Sequence, residues 1–249
     1  PIADYYLGLL AIIRSQPTEA IKIFNHLLKS GVEAPYRFGV LEIKALALRI
    51  LGRLSEATET FIESASDCVN HGSAYSAFPL AKALELSRLA RLETPPKNLI
   101  RKALSLAKKG SWGEQAAAQE IEALLREDDA KAAEGLYEAA KNYLRAYQNI
   151  EAVFSGLTAA YLAWKVDSPV FSKALKLIAP LVPLHPGFKK DPLLGDFMSR
   201  VEPMLAEGLK PNRDRYGIRA YLIEELRVMV DGRVVELARW HNNLAIKAF

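Results

Sequence analysis

Cys68 and His71 are the residues of this chain whose types and spacing come closest to a catalytic pair. A thiol beside an imidazole can serve as a nucleophile with its base. Here the two residues fall near the predicted end of a helix, and no third group is placed to orient the imidazole. We therefore assign no catalytic residue. The single cysteine is predicted to be a small, buried apolar residue on the second helix of a helix pair.

The sequence also lacks the motifs that are typical of metal and cofactor sites. The four histidines are His26, His71, His185 and His241. They are scattered, and none has the H-E-x-x-H spacing that places two imidazoles on one helix face. No G-x-x-x-x-G-K-[ST] phosphate-binding loop occurs. The acids at Glu120–Glu122 and Asp128–Asp129 are interpreted as a solvated helix face and a helix cap. The sequence predicts no enzyme, no metal site and no cofactor.

Two tyrosines and two lysines suggest binding rather than catalysis. Tyr36 and Tyr75 are 39 residues apart, and Lys44 and Lys82 are 38 apart, at corresponding places on successive predicted helices. One interpretation is a groove on an inner face that takes an acidic or extended ligand. The other is ordinary surface lysines and interface tyrosines. Both interpretations are kept.

The elements that would position these residues recur along the chain. Short breaks between apolar helical segments fall near Gln16–Pro17, Gly52, Glu93–Thr94, Asp128–Asp129 and Asp167–Ser168. The steps between them, about 36, 41, 35 and 39 residues, lie in the range of helical repeat arrays. Each segment is long enough for two helices. A lone helix pair cannot bury its own apolar faces, so the pairs are expected to stack into an open spiral with a concave trough.

The predicted helices cover residues 2–14, 18–30, 35–51, 55–70, 78–92, 95–108, 112–126, 129–147, 150–165, 169–181 and 192–209. Thr18 is the expected cap of the second helix. The second helices share a small residue followed four places later by a large one, so that both lie on one face. These pairs are Ala20 and Phe24, Ala57 and Phe61, Ala133 and Tyr137, and Ala174 and Ile178. Trp112, Tyr161 and Trp164 are expected to be packing residues.

Composition limits the setting in which the chain works. Its 249 residues are half hydrophobic, yet no apolar run is long enough to span a membrane. No signal peptide is visible, and the lone cysteine favours a reducing compartment, so a cytoplasmic location is expected. The chain starts at Pro1 and stops at Phe249 within a helical pattern, which we interpret as a piece of a longer protein.

The last part of the chain changes from helical to alternating periodicity. Three short strands are predicted at about Ile218–Ile223, Leu226–Val230 and Arg233–Glu236. Asp231–Gly232 is a strong hairpin signal because a type I′ turn needs positive φ at both central residues. Residues 208–249 carry eight basic and five acidic side chains, which is most of the net charge of +4.

Residues 2–207 resemble tetratricopeptide (TPR) repeats in the loose, slightly long form of maltose-activator-type regulators. The spacing and the small-plus-large pairs support this resemblance, whereas the strict 34-residue consensus is absent. It implies an all-α, TPR-like superhelix of about five helix pairs over residues 1–209. In maltose-activator-type regulators a nucleotide-binding ATPase module lies further upstream, and nothing in this chain corresponds to it.

Residues 210–249 resemble the start of an OmpR/PhoB-type winged helix, as found in SARP-type transcriptional activators. The matching residues are Leu226, Arg227, Val228, Asp231, Gly232, Val235, Leu237 and Trp240, with Lys247–Ala248 opening a helix. The resemblance implies that a recognition helix and a wing follow the chain. Only the full-length protein would then read DNA, while Arg227, Arg233, Arg239 and Lys247 are candidate contacts to phosphates. Typical SARP activators have the opposite domain order.

The functional expectation is a signal-sensing and protein-interaction domain of a bacterial transcriptional regulator. A protein, a peptide or a small-molecule effector would occupy the concave face, a second copy of the chain is a further candidate partner, and no membrane is involved. The linker at residues 208–216 would join the helical array to the DNA-binding domain. The alternative is a freestanding TPR scaffold, similar to a co-chaperone, with no role at DNA and with the strands as a mere cap.

Overall fold

The computed structural model describes residues 2–33, 36–182, 191–208, 218–223, 225–230 and 233–235, which fall into two units, 1–208 and 209–249. The described residues of the first unit form eleven α-helices. They are α1 (Ile2–Ile13), α2 (Pro17–Lys29), α3 (Tyr36–Ile50), α4 (Leu54–Asn70), α5 (Ala77–Ala90), α6 (Lys97–Ala107), α7 (Trp112–Leu124), α8 (Asp129–Arg145), α9 (Asn149–Lys165), α10 (Val170–Ile178) and α11 (Gly195–Gly208). A 3-10 turn, Ala74–Ser76, precedes α5. The all-α prediction for this unit is confirmed.

Local chemistry sets the helix ends. Gly52 and Gly72 follow α3 and α4 with φ of +73° and +67°, a left-handed conformation that glycine adopts without steric cost. The predicted cap at Thr18 is wrong, because α2 already begins at Pro17 and the residue before it is Gln16. Proline fits this first position since its missing N–H needs no partner there. The predicted cap at Asp128 is confirmed, since its carboxylate accepts the N–H of Lys131.

The small-plus-large pairs of the second helices form the core of the array. Ala20, Phe24, Ala57 and Phe61 are completely buried, as are Ala133, Ala174 and Ile178. Full burial of a phenylalanine contributes about 1.5–3 kcal/mol relative to exposure. Tyr137 departs from the pattern: it is half-buried, and the ammonium of Lys141 lies over its ring.

Two of the pairs' first helices, α5 and α9, are enclosed by neighbouring helices. Each helix packs against the next, and α5 also packs against α7. Ala77–Ser87 of α5 and Ala152–Ala160 of α9 are buried continuously, which means that every face of these helix segments is covered. The expected open trough therefore does not run along these helices. Side chains of α3, α5, α7, α8 and α9 fill the space between them, and we call this the inner cluster.

The second unit contains three strands, β1 (Ile218–Ile223), β2 (Glu225–Val230) and β3 (Arg233–Val235). They form an antiparallel sheet in the order β1-β2-β3. Ile218 pairs with Val230 across the first two strands, and Val230 pairs with Arg233 across the second two. The strand bounds agree with the predicted ones to within one residue. The predicted linker 208–216 lies outside the described residues apart from Gly208.

Candidate functional site

The inner cluster is built around Arg49 of α3. Its guanidinium donates to Glu85 of α5 at 2.8 Å and to Asp191 at 2.5 Å. Thr158 of α9 donates to the second oxygen of Glu85 at 2.7 Å. Burial opposes the charge on Arg49, but the two carboxylates outweigh it and raise the Arg49 pKa above its usual value. The cluster therefore holds an ionised network inside the array.

Asp191 ties the end of the array to its second helix pair. One carboxylate oxygen binds Arg49, and the other accepts the backbone N–H groups of Leu193 and Leu194 just before α11. Leu193 packs against the apolar core formed by helices α1 to α5. This segment thus covers part of the inner cluster.

A second buried cation, Lys82 of α5, lies over the same aromatic ring as Arg49. Its ammonium is 4.4 Å from the ring centre of Phe154, and the guanidinium of Arg49 is 4.8 Å from the same centre. Cations over a ring face gain about 0.5–2 kcal/mol from its quadrupole. Lys82 Nζ lies 3.8 Å from Glu120 Oε1, and both buried atoms lack a hydrogen-bond partner. That separation suits a bridging water.

Glu120 contradicts the predicted solvated face, because its side chain is completely buried. Its other oxygen accepts the hydroxyl of Tyr143 at 2.5 Å. Burial raises the pKa of Glu120, repulsion from Glu85 and Glu151 adds to this, and the charge of Lys82 partly offsets it. Glu122, by contrast, is exposed as predicted and pairs with Lys108.

Carboxyl groups outnumber basic side chains around this cluster. The described carboxylates whose charges act on it are Glu42, Glu85, Glu120, Glu151 and Asp191. The cations among them are Arg49 and Lys82. An interior with surplus carboxylates attracts cations and repels anions.

Glu42 and Tyr75 mark the outer end of the cluster. The hydroxyl of Tyr75 donates a short hydrogen bond to Glu42. Burial raises the pKa of Glu42 to about 7, and the charge of Glu151 adds to the rise, while Tyr75 and Lys82 lower it. Glu42 therefore changes charge near neutral pH.

An open pocket lies between α1, the end of α2 and α3, and one of its lining residues, Tyr5, feels the charge of Glu42. Its volume is about 580 Å³, within the roughly 300–1,000 Å³ typical of small-ligand sites. Its walls include the rings of Tyr5, Tyr6 and Tyr36, together with Gly39 and Glu33. We call it the tyrosine pocket. A Cβ on Gly39 would lie 3.4 Å from the hydroxyl of Tyr5, an ordinary van der Waals distance, so this ring lies directly against α3.

The structure brings three of the four predicted groove residues to this region. Tyr36 lines the tyrosine pocket. Tyr75 binds Glu42, and the charge of Lys82 acts on the same carboxylate. Lys82 is only 6 % exposed, so it does not face an open groove. Lys44 is not among the residues that line the pocket, and its charge helps to lower the pKa of Glu56 on α4, after the larger effect of Arg53.

The predicted phosphate contacts belong to the second unit. Arg227 lies in β2 opposite Tyr221, and Arg233 begins β3 opposite Val230. Arg239 and Lys247 lie outside the described residues.

The described part of the chain holds a buried thiol and no cluster arranged for a metal ion. Cys68 is completely buried on α4 as predicted, and burial raises its thiol pKa to about 12, with Glu42 adding to the rise. No group of three or more histidine, cysteine, aspartate or glutamate residues is arranged for a metal among the described residues.

None of the described helices has the length and apolar character needed to cross a membrane.

Comparison with known proteins finds likeness only at the level of structure. No family model and no curated protein sequence matches the chain. The structure is similar to a crystal structure of the nearly identical TPR-like repeats of a Podospora anserina kinesin light chain, and to a substituted form of it. In both comparisons the TM-score is 0.37, the identity is 14 %, and the alignment covers 84 % of this chain and 96 % of the other.

The sequence prediction missed the charged core. Arg49 and Glu85 are 36 residues apart, and Lys82 and Glu120 are 38 apart, so each pair joins successive first helices. Opposite charges separated by one repeat step are the signal that would have found them.

The prediction also missed a row of exposed aromatic residues. Trp112 was expected to pack, yet it is 69 % exposed at the start of α7. It continues the register of Tyr36 and Tyr75, and Tyr147, exposed by 90 %, precedes α9. We call these four residues the aromatic rim. Trp164, although 48 % exposed, does make ring contacts, with Tyr161 and Phe197.

Proposed function

We propose that this chain is the effector-binding part of a bacterial transcriptional regulator, followed by the start of its winged-helix DNA-reading domain. The tyrosine pocket would receive a small effector. The DNA reader would continue beyond Phe249, with Arg227, Arg233, Arg239 and Lys247 among its phosphate contacts.

The observation that carries the proposal is the register of the sheet. Val230 and Arg233 pair across the two intervening residues Asp231 and Gly232, and β1 lies antiparallel to β2. This pairing agrees with the order of strands expected from the winged-helix motif that the sequence resembles. The pocket in the helical unit supports the sensing role, since its size suits an effector.

A mobility-shift assay on the intact protein tests the regulator role. We expect binding to a specific DNA site, and no specific binding by the 249-residue chain, because major-groove reading needs a recognition helix. Arg227→Ala and Arg233→Ala in the intact protein should weaken binding to all sequences alike and reduce its salt dependence. Lys173→Ala, an exposed site on α10, serves as the control. Absence of specific DNA binding by the intact protein would eliminate the proposal.

The aromatic rim favours a second candidate, a scaffold that binds peptides. Tyr36, Tyr75, Trp112 and Tyr147 follow one another at spacings of 39, 37 and 35 residues, close to the starts of successive first helices. Exposed aromatic residues are typical anchors of protein interfaces. A Trp112→Ala variant that loses a partner protein while the intact protein shows no specific DNA binding would support this scaffold instead.

A further inference from the structure

The tyrosine pocket differs from the inner cluster in being open. Tyr6 and Tyr36 are 59 % and 58 % exposed, so their rings are accessible from solvent. Tyr5 lines the pocket, and its ring lies against Gly39 of α3. Aromatic walls around an open cavity suit a flat or extended apolar group.

The charges around the pocket have one sign. Among the described residues that line it, the charged side chain is the carboxylate of Glu33. Glu42 follows Gly39 by one helical turn, and the pKa of Tyr5 is raised by burial and by the charge of Glu42, which places that carboxylate behind the Tyr5 wall. The neighbouring basic side chain of Arg37 is bound to Glu63 and Asp67.

None of the described residues that line the pocket is basic, so an anion would find no counter-charge among them. Lys82 is buried beside Glu120, and neither Lys82 nor Lys44 lines the pocket. The expectation of an acidic ligand for the tyrosine and lysine set therefore has no geometric support at this pocket. A cation gains from the ring faces of Tyr5 and Tyr36 as well as from the carboxylates.

We propose that the tyrosine pocket binds a small organic cation, an ammonium or guanidinium group on an apolar stem, with Glu33 and Glu42 as its counter-charges. This inference rests on the proposed function, since it names the chemical class of the effector. The stem lies against Tyr5, Tyr6 and Tyr36. The cationic group lies toward Glu42.

Calorimetric titration of the 249-residue chain with three indole probes tests the charge selection. Tryptamine, tryptophol and indole-3-acetate share a ring and differ in charge. We expect tryptamine to bind at least about ten-fold more tightly than tryptophol, the equivalent of one counter-charge or cation–π contact, and indole-3-acetate to bind most weakly. Equal or tighter binding of indole-3-acetate would overturn the proposal, as would failure of all three probes to bind.

Two variants tie the binding to this pocket. Glu42→Gln removes the charge and keeps an oxygen that accepts the Tyr75 hydroxyl, and Tyr36→Ala removes an exposed wall. Each should weaken tryptamine binding by about five- to ten-fold. The matched controls, Glu59→Gln on the exposed side of α4 and Tyr137→Ala on α8, should leave it unchanged. Unchanged binding in both pocket variants would overturn the assignment.

The pH profile gives an independent readout. Tryptamine affinity should fall between pH 8 and pH 5.5 as Glu42 takes up a proton, since its pKa is about 7. This dependence should disappear in Glu42→Gln. The groups that face Glu42 from the neighbouring elements are Tyr5, Cys68, Tyr75, Lys82, Tyr143 and Glu151. A pH profile that is the same in both proteins would contradict the role of Glu42.

The outcomes separate this inference from the function on which it rests. Binding of tryptophol or indole-3-acetate that is lost in Tyr36→Ala would keep the pocket as an effector site and reject the cation. A Leu-Lys-Leu peptide amide that binds more tightly than tryptamine would assign the same cationic chemistry to a side chain of a partner. The regulator role is judged separately, by DNA binding of the intact protein.

Discussion

Arg49 Nε lies 2.5 Å from Asp191 Oδ2, and this bond joins two residues that are 142 positions apart in the sequence. Both side chains are buried, and Arg49 also binds Glu85. Removing either ion from water costs several kcal/mol, which only close pairing repays. The contact between the second helix pair and the segment before α11 is therefore ionic and sensitive to the loss of one partner.

Arg49→Ala should lower the free energy of unfolding by about 3–5 kcal/mol, because it leaves the carboxylates of Glu85 and Asp191 buried without their cation. Urea denaturation followed by circular dichroism measures the change. Arg53→Ala is the matched control: its pair with Glu56 is about half exposed, so water and salt screen it and its loss should lower the stability far less than Arg49→Ala does. Equal stability of the two variants would contradict the role of the inner cluster.

The helix boundaries were predictable where local chemistry determines them. Gly52 and Gly72 adopt the positive φ that ends a helix, and Asp128 caps α8. The strand bounds were predictable from the alternation of apolar residues and from the Asp231–Gly232 pair in the sequence. Each of these signals acts through the backbone of a few neighbouring residues, so the chain's local pattern is sufficient to find them.

The candidate site was less predictable because it depends on which helices meet. Glu120 has the sequence neighbours of an exposed helix face, yet α8 brings Tyr143 to it and α5 brings Lys82. Lys82 was predicted to line a groove. It is buried instead, because α9 packs close enough to α5 for Thr158 to bind Glu85. Periodicity identifies the faces of single helices, whereas side-chain contacts between distant helices depend on the curvature of the stack.

Glu42→Gln should change how stability depends on pH. The carboxyl group titrates near pH 4.5 when unfolded and near pH 7 in the folded chain, so the folded chain binds more protons between these values. Stability conferred by the protonated group is full below about pH 4.5 and is lost as the pH rises to about 7. The wild type should therefore lose about 2 kcal/mol more than Glu42→Gln across this range.

Urea denaturation at several pH values measures this difference, and Glu59→Gln, on an exposed part of α4, is the control. Comparing each variant with the wild type cancels the contribution of other carboxylates, such as Glu85, whose pKa is lowered by Arg49 and Lys82 against the effect of burial. Parallel curves for the wild type and Glu42→Gln would mean that Glu42 keeps an ordinary pKa.

Gly156→Ala should destabilise the contact between α9 and α10. A Cβ at this position would overlap Cγ2 of Ile178, which is completely buried. The expected loss is about 1–3 kcal/mol, although alanine favours an isolated helix by about 1 kcal/mol. In Gly156→Ala/Ile178→Ala the overlap is relieved, so the double variant should lose at least about 1 kcal/mol less than the sum of the single losses. Additive losses in thermal or urea unfolding would rule out this overlap.

The thiol of Cys68 should report global unfolding. Burial raises its pKa to about 12, so the thiolate is scarce at pH 8, and the side chain is inaccessible to a disulfide reagent. Because the chain has a single cysteine, the coloured thiolate that the reagent releases reports on the reaction of Cys68 alone. We expect slow reaction in buffer and rapid reaction in urea, with the rate rising across the unfolding transition. Rapid reaction of the folded chain would place the thiol at an accessible surface.

Tyr147→Asn should stabilise the folded chain. Tyr147 has a φ of +60° in the turn between α8 and α9, a left-handed conformation that costs an L-residue roughly 1–2 kcal/mol and that asparagine tolerates better. Since the tyrosine side chain is 90 % exposed, its removal sacrifices little packing. We expect a gain of about 0.5–1 kcal/mol in the free energy of unfolding. Tyr147→Phe keeps the same backbone penalty and should match the wild type. If Tyr147→Asn proves less stable than Tyr147→Phe, the tyrosine ring must make a contact that outweighs the backbone strain.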